Sequence, residues 1–69
     1  MNYQLKGSSE LHELRHGVDY DLAHLQRLAK NNDLKVVNGY GKTQVRGSRR
    51  LLIVRGSKLV ARLDQTEGG

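Results

Sequence analysis

The sequence predicts an α+β fold in which two N-terminal helices are followed by a small antiparallel sheet of about three strands. Leucines recur at helical spacing through the first 29 residues. β-Branched residues take over after Asp33, and Asn-Gly and Gly-Ser pairs then break the chain at strand-length intervals. The 69 residues are 36% hydrophobic, with no Phe or Trp, so one domain with a small core of Leu, Val, Ile and Ala is expected. A chain this short buries only about 60% of the surface its unfolded form exposes, which makes stability marginal and a deep substrate pocket hard to build.

Met1–Gly7 reads as a loose lead-in or a short strand. Ser8 or Ser9 suits the cap of a first helix, with Leu11 and Leu14 three apart and Gly17 ending it. Glu10 in its first turn and Arg15 and His16 in its last complement the helix dipole. A second helix spans about Asp21 to Asn31, capped by Asp19 or Asp21, with Leu22, Leu25, Leu28 and Ala29 as its apolar stripe. Asn31-Asn32 supplies the left-handed residue that closes it.

Beyond Asp33, strands are expected at Lys35–Val37, Thr43–Arg46, Arg50–Val54 and Leu59–Leu63. The segments 38–41, 47–48 and 55–58 supply the Gly and Asn that tight reversals need. Leu51–Val54 is apolar on both faces, as an interior strand would be. In the last strand Leu59, Ala61 and Leu63 alternate with Val60 and Arg62, so one face covers the helices and the other shows basic groups. The domain is expected to occupy residues 1–63, with 64–69 a disordered tail.

Charge is the most informative feature. Residues 1–33 carry four basic groups against five acidic ones, a balance of −1. Residues 34–69 carry eight against two, a balance of +6, and no acid interrupts Leu34–Leu63. Like charges raise the cost of folding, so a one-sided stretch this long calls for a polyanionic partner. Solubility alone is the bland explanation. The expected nucleic-acid-binding residues are Lys42, Arg46, Arg49, Arg50, Arg55, Lys58 and Arg62, with Tyr40 as an aromatic that either stacks on a base or folds back over the core. Five arginines against two lysines favour planar, bidentate phosphate contacts. Arg-Gly-Ser occurs at 46–48 and again at 55–57, and if both turns project the same way, Arg46, Arg49, Arg55 and Lys58 form one cluster.

Two motifs point to catalysis and fail on context. His12-Glu13-Leu14-Arg15-His16 matches the HExxH pattern of zinc peptidases, which needs a helix continuing through both histidines, a third ligand and a cleft. Gly17 ends the helix at the second histidine. Gly41-Lys42-Thr43 matches the end of a phosphate-binding loop, but Val36 stands where that loop needs its first Gly, and strand rather than helix follows. The chain is therefore read as a non-enzyme without cofactor or metal. It has no Cys, no apolar run of membrane-spanning length and no apolar leader, which suits a cytoplasmic protein.

Residues Leu25–Leu63 resemble the core of the HicA-type toxins, small RNA-cleaving proteins with a double-stranded-RNA-binding-like fold. The segment 28–37 is similar to the family's helix end and first strand, Arg46–Arg50 to its Gly-Ser turn, and Leu59–Leu63 to its last strand. Arg49 stands where the family carries its catalytic His, Asn38–Lys42 looks inserted, and the family's closing helix has no counterpart in Asp64–Gly69. The resemblance implies a nucleic-acid-binding version of that fold without nuclease activity. Three functions follow as expectations: a small basic DNA- or RNA-binding regulator, an inhibitor or adaptor docking on an acidic protein in the manner of compact phage regulators, or an RNA-cleaving toxin. The protein is expected to act as a monomer or homodimer.

Overall fold

The chain forms β1 (Asn2–Lys6), β2 (Tyr20–Asp21), α1 (Leu22–Asn31), β3 (Lys35–Asn38), β4 (Arg50–Arg55) and β5 (Lys58–Gln65) in a computed structural model that describes residues 2–66. All strands join one antiparallel sheet in the order β2-β1-β5-β4-β3. Among the described residues the fold is thus mostly β, with one short helix and five strands. This corrects the expectation of two N-terminal helices and about three strands.

The first expected helix is absent. Two leucines over barely two turns cannot offset the cost of helix nucleation, and local side chains offer the backbone other partners. Ser9 Oγ accepts from the Leu11 amide at 3.0 Å. The Tyr20 hydroxyl accepts from the Arg15 amide at 2.8 Å, and His16 Nε2 donates to the Gly7 carbonyl at 2.6 Å. Leu11 and Leu14 are nonetheless buried in the core, so their spacing reported burial correctly and helicity wrongly.

The second helix is present. Asp21 caps it, its Oδ1 accepting from the His24 amide at 2.7 Å, and Leu25, Leu28 and Ala29 are its buried face. It ends in a Schellman arrangement one residue later than the Asn pair suggests. Leu34 N–H donates to Ala29 O at 2.8 Å and Asp33 N–H to Lys30 O at 3.3 Å, with Asp33 in the left-handed region at φ 58°.

Residues 2–6 supply the strand that the sequence left open. Tyr3 and Leu5 point into the core, and β1 pairs with β5 in the register Tyr3↔Gln65, Leu5↔Leu63. The expected strand at Thr43–Arg46 does not form. Val45 alone is buried there, and the rest of residues 39–49 makes a long connection. β5 runs on through Asp64 and Gln65, and Thr66 N–H donates to Asn2 O at 2.9 Å. The rest of the expected tail, residues 67–69, lies outside the described residues.

β5 carries a bulge at Val60: Ile53 faces Ala61 and Val54 faces Leu59, which leaves Val60 without a partner across the strand. Its carbonyl accepts from the Glu10 amide at 3.3 Å, tying the 7–19 segment to the sheet. Among the described residues no helix is long and apolar enough to cross a membrane.

Asp33 is expected to sit under mild backbone strain. Asp33→Gly should raise stability in urea unfolding by about 0.5 kcal/mol, and Asp33→Val should lower it by about 1–2 kcal/mol. Burial pushes the Tyr3 phenol above its ordinary 10.0. The native state then holds that proton more tightly than the unfolded chain. The associated stability is whole below pH 10 and is lost as pH rises from there through the raised native value. The urea midpoint of the wild type should fall more steeply above pH 10 than that of Tyr3→Phe; parallel curves would remove Tyr3 from the account.

Candidate nucleic-acid interface

β4 separates the two Arg-Gly-Ser turns. The first lies just before Arg50 and the second starts at Arg55, five residue steps along an extended strand. At about 3.3 Å per residue the turns are about 17 Å apart, at opposite ends of the sheet. The single cluster of Arg46, Arg49, Arg55 and Lys58 therefore does not form. The strand expected at Arg50–Val54 already implies this, since turns at successive ends of one strand lie a strand length apart.

At one end sit Tyr40, Lys42, Arg46, Arg49 and Arg50; at the other, Arg55 and Lys58. Arg62 lies between, on the outer face of the sheet in one row with Lys6, Leu52 and Val37. Acids divide this set further. Asp64 pairs with Arg50 at 3.6 Å and with Arg62 at 3.3 Å, and Glu10 pairs with Lys58 at 3.2 Å. These pairs are exposed or half-buried and of small energetic worth, but they lower the local positive potential. Lys42, Arg46, Arg49 and Arg55 are exposed and have no ion-pair partner among the described residues.

The end bearing Tyr40 is held by one side chain. Asn38, the last residue of β3, accepts at Oδ1 from the Tyr40 and Lys42 amides at 2.8 and 3.0 Å. Its Nδ2 donates to the Gln44 carbonyl at 3.0 Å, and its backbone N–H donates to Lys42 O at 2.7 Å. Gly39 lets the loop lie against β4: a Cβ there would stand 3.4 Å from the Arg50 Cβ and Cδ atoms. Tyr40, 90% exposed, is thus held away from the core by a braced loop, which removes the alternative that it folds back.

The neighbouring turn is braced as well. Tyr3 OH donates to Ser48 O at 2.6 Å, Ser48 Oγ to Arg50 O at 2.7 Å, and Gln65 N–H to Arg49 O at 2.7 Å. Between loop and turn lies a shallow depression of about 630 Å³, lined by Gly39, Tyr40, Gly47, Ser48, Arg49, Arg50, Asp64 and Gln65. Arg46 borders a separate hollow of about 330 Å³ beside the start of α1. Asn38, Asp64 and Gln65 were not legible as parts of this end. Asn38 carries a weak signal, as the Asn of an Asn-Gly turn; the two others sit in the segment expected to be a tail.

The HExxH residues do not adopt the geometry the motif needs. His12 and His16 flank irregular turns, not one face of a helix, and among the described residues no group of three or more metal-ligating side chains assembles.

No protein-family model matches the chain, and no curated protein or solved structure does either. Nothing in these comparisons bears on the resemblance to the HicA-type toxins.

Asn38→Ala removes the acceptor of two amides. Hydrogen exchange at Tyr40 and Lys42 should quicken about fivefold or more while the core strands keep their protection, at a stability cost of about 1 kcal/mol. Unchanged exchange at both amides would show that the loop is braced by something else.

Proposed function

We propose that the protein binds nucleic acid through the end of the sheet that carries Tyr40, Lys42, Arg46 and Arg49, acting as a small regulator in the cytoplasm. The observation that carries this reading is an exposed Tyr40 lining the same depression as Arg49, with Lys42 on the Tyr40 loop and Arg46 on the neighbouring turn, three cations without an acid partner among the described residues, on loops held by side-chain hydrogen bonds. Guanidinium groups offer paired donors to phosphate oxygens, and their fixed loops limit the ordering cost on binding. Arg50, Arg62 and Lys58 are shared with Asp64 and Glu10 and contribute less. The reading is of a binder and not a catalyst: Arg49 offers no general base at neutral pH, and the histidines lie on a different segment.

A second reading is favoured by the outer face of the sheet. Leu52, Val54 and Leu59 share that face and lie outside the core cluster, Leu52 and Val54 half-buried and Leu59 53% exposed. Lys6, Lys35 and Arg62 stand among them. An acidic protein surface with an apolar centre fits such a patch.

Salt separates the two. Binding to labelled oligonucleotides, followed by fluorescence anisotropy at two salt concentrations, should weaken steeply with salt. Arg46→Ala/Arg49→Ala should reduce the log–log slope by about 1–2 and the affinity at least tenfold, about one phosphate contact per cation removed. Arg55→Ala/Lys58→Ala, at the far end, should change little. Equal effects of the two double variants, or weak binding that neither alters, would sink the nucleic-acid reading. In that case Leu52→Asp and Leu59→Asp become the variants to test against an acidic protein partner.

A further inference from the structure

We infer that the ligand is a single strand, with one unpaired base stacked on the Tyr40 ring and an adjoining phosphate held by Arg49. This rests on the nucleic-acid reading above and narrows its substrate class.

An aromatic ring gains by leaving water, yet Tyr40 is 90% exposed in a chain with only three aromatic residues and a small core. Its position is imposed. The Asn38 carboxamide holds the amides on both sides of Gly41, at Tyr40 and at Lys42, and the Asn38 carbonyl accepts from Gly41 N–H at 2.9 Å. Gly41 takes φ 80°, a conformation that side-chain-bearing residues rarely adopt, so the tip is built around a glycine. A loop tied this way presents its ring in one place.

The surroundings fit a nucleotide. Tyr40 lines the same depression as Arg49, whose carbonyl is fixed to β5 through Gln65. Gly47 leaves the backbone approachable there, a Cβ at that position meeting nothing within 4 Å, and Ser48 lines the same depression. A planar apolar face next to a guanidinium is the pairing that single-strand binders use, base on ring and phosphate on cation. A duplex cannot use it, because its bases are already stacked and their faces are covered. The depression is also too open to demand one particular base, since every base offers a face to stack.

The test uses a labelled single strand of about 12 nucleotides in DNA and RNA forms, the matching duplex, and the same strand with abasic residues throughout. Tyr40→Ala, Tyr40→Phe and Arg49→Ala are compared with the wild type by anisotropy. Tyr40→Ala is expected to weaken single-strand binding about tenfold or more without changing the salt slope, and Tyr40→Phe to stay within about twofold. Arg49→Ala should reduce the slope by about 0.7, the value for one phosphate on a single strand. Abasic strand and duplex should not respond to Tyr40→Ala. If duplex binds as tightly as single strand and Tyr40→Ala changes neither, the inference falls while nucleic-acid binding stands. If no polymer binds, both fall together.

Discussion

The turn that carries Arg49 depends on the pairing of β1 with β5, and Tyr3 is where that pairing acts. Its ring is 2% exposed in the core, and its hydroxyl reaches across the sheet to the Ser48 carbonyl. The bond stabilises a turn that belongs to neither strand. Without β1, β5 would lose one of its two neighbours, and the turn holding Arg49 would lose a partner from the core side. A small domain has few such ties, so each of them fixes a large part of the molecule.

The core was largely legible in the sequence, while its topology was not. Leu25, Leu28, Leu51, Ile53 and Leu63 are buried as periodicity indicates. Leu11 and Leu14 are buried too, but in an irregular segment, since spacing reports which side of the chain faces inward and not which backbone shape carries it. Tyr3 and Leu5 alternate as strand residues do, yet their partner lies some sixty residues away, and no local signal names a partner at that distance. The missing strand at Thr43–Arg46 has the opposite cause: its composition suits a strand, but Asn38 offers the backbone side-chain partners, and only Val45 is taken into the core.

The basic charge was equally legible in amount but only in part in its arrangement. Seven cations and an aromatic looked like one patch along the chain. In space they divide between two ends and one face, and two acids shield three of them. Asp64 does most of this shielding, from a position in β5 that was expected to lie in the tail. Strand direction accounts for the division, because turns at successive ends of β4 must lie a strand length apart.

The loop between Asn38 and Val45 divides labour in a way that bears on how such a protein changes over generations. All six residues from Gly39 to Gln44 are exposed, and the fold holds the segment through its backbone, by bonds to Asn38, and not through the side chains of these residues. Substitutions at Tyr40, Lys42, Thr43 or Gln44 therefore escape the selection that packing imposes on the sheet. A lineage can exchange what the loop offers a partner, ring for ring or charge for charge, while the domain beneath stays the same.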